Sequence, residues 1–178
     1  MNEKFRSRIM EEADIKRALA RIAHEIIERN GDEQGLHIIG VERRGTSLAA
    51  VIADNIERFS DLTVYRASIN IASFRDDAAR QEPAPPVEAP LRSVTGETVI
   101  IVDDVIHTGR TARAALEAVL SLGRPAKIQL AVLIDRGHRE LPIRGDYIGK
   151  NVPTAKTELI KVHIPPYDDV VNVELYEK

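Results

Sequence analysis

A chain of 178 residues, 43% apolar and 30% charged with 25 Lys+Arg against 28 Asp+Glu, is expected to form one globular domain over residues 1–178 with a substantial core. The absence of cysteine excludes disulfides, thiolate nucleophiles and Cys-ligated zinc, and the five His are not spaced as metal ligands, so a metal would be a hard cation on oxygen ligands. No apolar run approaches the roughly 20 residues that cross a bilayer and the N-terminus has no apolar signal core, so a cytoplasmic protein with no membrane partner is expected; a net charge of −3 leaves room only for a local basic face.

Along the chain, Ile15, Leu19, Ile22, Ala23, Ile26 and Ile27 recur at helical spacing and predict an amphipathic helix over residues 13–28, closed by Gly31. Residues 36–41 (LHIIGV) form a short apolar run that reads as a buried strand, and the polar turn ERRGT leads from it into a helix over 47–59. A strand over 64–73 precedes a proline-rich stretch, residues 74–90, which reads as a flexible flap. Residues 98–102 (TVIIV) are a fully apolar strand ended by two acids and the turn IHTGRT, with an Ala-rich helix over 112–122 behind them. A buried strand over 128–135, a basic loop-rich segment over 136–151 and strand candidates at 159–164 and 170–175 complete the chain. Apolar strands alternating with helices indicate an α/β fold of three layers, a mainly parallel central sheet flanked by helices.

Open α/β sheets bind ligands beyond the carboxyl ends of their strands, and residues 99–111 (VIIVDDVIHTGRT) occupy such a position. Adjacent anions at Asp103 and Asp104 repel unless hydroxyls, hydrated Mg²⁺ or a cation meet them. Thr108, Gly109, Arg110 and Thr111 then open a helix with backbone N–H groups, hydroxyls and a close-approach glycine, which together suit a phosphate. A phosphorylated sugar matches both halves, with carboxylates for ribose hydroxyls and the helix start for phosphate. Taken singly, Asp-Asp would read as a helix cap and Thr-Gly as a turn. There is no GK[ST] of a P-loop and no GxGxxG of a dinucleotide fold.

This run resembles the phosphoribosyl pyrophosphate (PRPP) motif of type I phosphoribosyltransferases, whose fold adds a small hood to the sheet. In that resemblance the nucleotide or PRPP would be held by Val102, Asp103, Asp104, Val105, Ile106, His107, Thr108, Gly109, Arg110 and Thr111, with the ribose on the acid pair and the 5′-phosphate on residues 108–111. Arg43, Arg44 and Gly45 would form the pyrophosphate loop; Arg44 supplies charge-assisted donors and Gly45 a close backbone approach. Asp103, Asp104 and Arg44 would be the catalytic groups, and Mg²⁺ would arrive with PRPP, no direct protein ligand being assigned to it.

The segment VLIDRGHRELPIRGDYIGKNVPT, with RALARIAHEI and FRDD, is similar to the pyrimidine-operon attenuators of the PyrR family, and the likeness covers nearly the whole chain. The resemblance implies two activities: UMP- or UTP-responsive binding of the pyr mRNA leader stem-loop, and uracil phosphoribosyltransferase activity, making UMP and pyrophosphate from uracil and PRPP. It further implies a uracil pocket at Arg136 and Val152, an RNA face of His24, Arg136, Arg139, Arg144 and Lys150, and a homodimer or higher homo-oligomer. Read without the resemblance, His24 is a half-buried helix residue and the arginines are partners for Glu140 and Asp146. The chain departs from the family pattern at Ala20 (Thr), Arg43 (Thr), Asn70 (Asp), Ser73 and Phe74 (Leu-Tyr) and His107 (Tyr). These changes leave open an enzyme without RNA regulation, including one acting on another base such as a purine, and a nucleotide-sensing RNA-binding protein with weak catalysis.

Overall fold

The structure is a computed structural model that describes residues 3–76 and 92–178. Its central sheet contains β2 (Gly35–Val41), β3 (Thr63–Ile69), β4 (Thr98–Ile106), β5 (Lys127–Asp135) and β6 (Tyr147–Asn151), all parallel, in the order β3-β2-β4-β5-β6. A second sheet, the expected hood, is antiparallel and joins β1 (Lys4–Glu11), β8 (Asn172–Glu177) and β7 (Glu158–His163) in the order β1-β8-β7. Among the described residues no helix is long and apolar enough to cross a membrane. The expected flap, residues 74–90, lies outside the described residues apart from 74–76.

Helix α1 (Glu12–Arg29) starts with a reciprocal capping box, in which the Glu11 N–H donates to Asp14 Oδ2 at 2.9 Å, and buries Ile15, Leu19, Ile22 and Ile26. Helix α2 (Arg44–Phe59) buries Leu48, Ile52 and Ile56, and α3 (Arg110–Ser121) buries Ala112, Ala115 and Val119. Alternation along β4 explains the three layers. Ile100 and Val102 pack with α1 and α2, whereas Val99 and Ile101 pack with α3 on the other face.

Several boundaries differ from those the sequence predicts, for physical reasons. Helix α2 begins at Arg44, not at residue 47, because Arg43 takes a positive φ of 75° and turns the chain at once. Strand β4 runs to Ile106, beyond the expected end at 102, so both acids lie inside it; β5 continues to pair with it there, through Asp103 with Val132 and Ile106 with Asp135. The loop-rich segment 136–151 ends in β6, an edge strand that β5 recruits by parallel pairing. Strand β1 lies within a polar N-terminal stretch and is held by β8.

One core position works against stability. His37 on β2 is fully buried and meets the Tyr65 ring at a tilt of 36°, with 5.0 Å between ring centroids, and neither ring nitrogen has a hydrogen-bond partner among the described residues. Burial pushes its pKa down, so the folded state holds it neutral. A depressed histidine pKa makes folding less favourable as pH falls below about 6.5, where the unfolded chain takes up the proton. His37→Leu is therefore expected to raise unfolding free energy by about 1 kcal/mol at pH 7, and by more at pH 5, in urea titrations at the two pH values.

Candidate active site

The site lies where the sheet changes direction. From β2 the chain adds β3 on one side and β4 on the other, and such a switch point leaves a crevice beyond the strand ends. Pairing of β2 with β4 ends at Gly40 and Val102, so Asp103 and Asp104 follow immediately where β4 has lost that neighbour. A cavity of about 520 Å³ opens there. The acid pair meets the turn 42–45 after β2, Asn70 and Arg75 after β3, and Thr111 of α3. A smaller space of about 50 Å³, lined by Asp103, His107, Thr108, Gly109 and Thr111, adjoins it.

The turn after β2 approaches the acids closely. A Cβ on Gly45 would stand 2.6 Å from the Val102 carbonyl oxygen and 3.4 Å from Asp103 Cα, so glycine is what lets the start of α2 press onto β4. Gly109 caps α3 at a φ of 93°, a left-handed conformation that favours glycine, and the Arg110 N–H donates to Thr108 Oγ1 at 3.3 Å. The orphan amides of the first turn of α3 and its dipole therefore face the smaller space beside the Thr108 and Thr111 hydroxyls.

Each acid accepts a neighbouring backbone N–H: Asp104 N donates to Asp103 Oδ1 at 2.9 Å and Val105 N donates to Asp104 Oδ1 at 2.7 Å. Burial, and then the adjacent Asp104 charge, nevertheless push Asp103 well above the usual carboxylate range. Burial raises Asp104 too, against the opposing Val105 N–H and the nearby Arg44 charge. The pair therefore has bonding capacity that hydroxyl donors or a cation would relieve.

Arg44 lines the main cavity and is clasped by Asp168, to whose carboxylate Nε and Nη2 donate at 3.0 and 2.9 Å. Val102 lies in the core beneath the floor, whereas Val105 lines both cavities and buried Ile106 only the smaller one. His107 stands edge-on to His138 at 6.1 Å; burial first, then the charges of Arg136 and His138, depress its pKa and favour the neutral ring. Arg110 bridges Asp76 at 2.6 Å and Glu140 at 2.9 Å, linking the start of α3 to the chain after β3 and the loop after β5. Sequence reasoning missed Asp168, which is 124 residues from Arg44, and Arg75 as a cavity residue. The FRDD motif contains Arg75, whereas no sequence signal links Asp168 to Arg44.

Two expected groupings change. Arg136 is 4% exposed, and its Nε and Nη2 donate to Thr154 Oγ1 at 3.1 Å and the Glu158 carbonyl at 2.7 Å, so its side chain anchors the chain after β6. The Val152 N–H donates to the Asp135 carbonyl at 2.8 Å and is already used. A cavity of about 300 Å³ remains between Asp135, Arg136, His138, Asn151 and Thr154. The five residues expected to make one basic face are not brought onto one. His24 stacks on Phe59 on the α1–α2 side, Arg144 borders the α3 side, and half-buried Arg139 bonds Asp135 and the carbonyls of His107 and Ile143. Lys150 is exposed beside β1, with Nζ 3.4 Å from the Ile9 carbonyl.

Residues 6–169 match the phosphoribosyl transferase domain. The chain is 49% identical over 176 residues to the bifunctional protein PyrR of Clostridium novyi, covering 98% of this chain and 99% of that protein. It is 47% identical over 178 residues to the bifunctional protein PyrR of Thermus aquaticus, covering 98% of each. Among solved structures, the hypoxanthine phosphoribosyltransferase of Trypanosoma cruzi superposes with a TM-score of 0.75 over 97% of both chains at 19% identity, a likeness of fold.

The half-buried acid pair predicts opposite effects on stability and binding. Because the folded pKa of Asp103 is raised, its cost is absent below the unfolded value of about 4 and grows as pH rises toward the folded one. Asp103→Asn is expected to raise the melting temperature of the ligand-free protein at neutral pH by about 2–4 °C per kcal/mol recovered, and by less at pH 4, while weakening UMP and PRPP binding. Calorimetric melting at both pH values, followed by ligand titration, checks both parts.

Proposed function

The chain belongs to the PyrR family of phosphoribosyltransferase-fold proteins, and we propose that it makes UMP and pyrophosphate from uracil and PRPP in the cytoplasm and binds the pyr mRNA leader in response to UMP or UTP. The observation that carries the reading is the meeting, at one switch point, of a half-buried acid pair, a helix-start phosphate loop and an arginine turn. These are the three groups that a ribose bearing a 5′-phosphate and a pyrophosphate requires. Near-full-length identity to bifunctional PyrR proteins supports the pyrimidine base and RNA partner over a purine-specific enzyme.

In the reaction, N1 of uracil forms a bond to C1 of the ribose as the C1–O bond to pyrophosphate breaks and the N1 proton is lost. Asp103 and Asp104 hold the ribose hydroxyls, and their negative charge favours the oxocarbenium-like transition state. The first turn of α3 fixes the 5′-phosphate, and Arg44 draws the leaving pyrophosphate away from C1. Asp103 and Asp104, paired oxygen donors lining the main cavity, would hold a hydrated Mg²⁺ through its water shell, and such an ion would neutralise charge on the pyrophosphate. The cavity of Asp135, Asn151 and Thr154 is the proposed place for the base, bordered by the anchored Arg136, with Val152 between its lining residues Asn151 and Pro153.

For RNA, exposed His24, Arg144 and Lys150 remain the contacts of choice, combined across a homodimer or higher homo-oligomer. Arg139 is a support of the phosphate loop through the His107 carbonyl.

With Mg²⁺ and PRPP, turnover is expected with uracil and not with hypoxanthine or guanine; a lack of uracil turnover overturns the enzymatic reading. In filter binding of a pyr leader hairpin, UMP is expected to tighten the complex. Lys150→Ala should weaken it and flatten the salt dependence by about 0.7 per lost phosphate contact while sparing uracil turnover.

A further inference from the structure

The antiparallel sheet and the chain between its strands β7 and β8 have no part in the chemistry as described so far. Asp168, in that connection, nevertheless reaches the pyrophosphate turn with both carboxylate oxygens. The geometry points to Asp168 as a positioning residue for the pyrophosphate of PRPP, acting by holding the Arg44 guanidinium from behind. The inference rests on the reading of the main cavity as a PRPP site.

The contacts set the direction of the clasp. Arg44 lines the cavity and Asp168 does not, so the carboxylate lies on the far side of the guanidinium from the ligand space. Of the five guanidinium N–H donors the clasp uses one on Nε and one on Nη2, which leaves both on Nη1 and the second on Nη2 for an oxyanion. That pattern permits ligand binding without breaking the clasp. Asp168 is itself fixed: the Ile164 N–H donates to Oδ2 at 3.0 Å, and His163 Nδ1 lies 3.2 Å from Oδ1. The other ring nitrogen of His163 is 3.6 Å from Glu174, which accepts the Tyr176 hydroxyl at 2.7 Å. A polar chain thus runs from the middle strand of the antiparallel sheet to the pyrophosphate turn. Although its partial burial acts in the other direction, Arg44, the Ile164 N–H and His163 hold Asp168 down at about 2, so it stays anionic wherever the protein would work.

A long arginine side chain free in solution loses rotamer freedom on binding an anion, whereas one already clasped does not. Removing the clasp should therefore weaken ligands that carry pyrophosphate and spare those that do not. UMP has the ribose and 5′-phosphate but no pyrophosphate, so it serves as the internal control.

The test is calorimetric titration of Mg²⁺·PRPP, Mg²⁺·pyrophosphate and UMP into full-length wild type and Asp168→Asn, with KM for PRPP measured beside KM for uracil. The expected result is about tenfold weaker PRPP and pyrophosphate binding and a raised KM for PRPP, with UMP affinity and KM for uracil unchanged. In an Arg44→Lys background, where no fork can form, Asp168→Asn should add nothing further. His163→Ala, which loosens Asp168 without touching Arg44, is expected to give a smaller loss of the same selectivity, and it carries the test if Asp168→Asn does not fold. Tighter pyrophosphate binding by Asp168→Asn would make Asp168 an internal competitor and overturn the proposal, as would equal loss of UMP. Failure of wild type to bind PRPP would instead overturn the reading of the site.

Discussion

Two adjacent carboxylates inside a β-strand, with most of their surface removed from water, form an arrangement that a folded chain tolerates only with compensation. Here the compensation is incomplete: backbone N–H groups on each acid and the nearby Arg44 and Arg75 charges. Much of the architecture follows from carrying this pair. Strand β4 must outrun β2 so that the acids open into a crevice, β5 must continue alongside to keep their backbone in register, and Gly45 must be small enough for α2 to begin against them. The cost retained in the empty site is the capacity that ribose hydroxyls would satisfy, a common way for a binding site to trade stability for affinity.

The arginines around the site are largely engaged with the protein frame. Arg44 is held by Asp168, Arg110 by Asp76 and Glu140, Arg136 by the chain after β6, and Arg139 by Asp135 and the His107 carbonyl. Such fixed cations need little reorganisation when a polyanion arrives, which is the condition for electrostatic stabilisation of a leaving pyrophosphate. They also connect distant parts of the chain, so the antiparallel sheet and the segment after β6 contribute to the site through Arg44 and Arg136.

Much of this was legible in the sequence, for reasons that can be traced residue by residue. The strands TVIIV and IQLAVLID are buried on both faces of a parallel sheet and so read as continuous apolar runs, while α1 shows its apolar stripe directly. That Asp103, Asp104 and residues 108–111 stand together beyond the strand ends was legible because the pattern is local, acids at a strand end followed by a helix start. What was hidden depends on partners far along the chain. Strand β6, YIGKN, has the composition of a loop and exists because β5 pairs with it; β1 depends on β8 in the same way. The burial of Arg136 is set by carbonyls of the chain after β6, and the role of Asp168 by a turn 124 residues away. The basic residues stand apart within one protomer for the same cause: carbonyls of the chain after β6 bury Arg136, His24 stacks on Phe59 and Arg144 borders α3.

Binding of a ribose would discharge the strain of the acid pair, and proton-linked binding reads that event directly. UMP binding measured by calorimetry in buffers of different ionisation enthalpy should release protons, because ribose hydroxyls favour the ionised carboxylates that burial disfavours in the empty site. The release should diminish in Asp103→Asn, which retains the phosphate loop and any contribution of the phosphate itself. Equal proton release in wild type and variant, or net uptake by the wild type, would contradict the assignment of the ribose to Asp103 and Asp104.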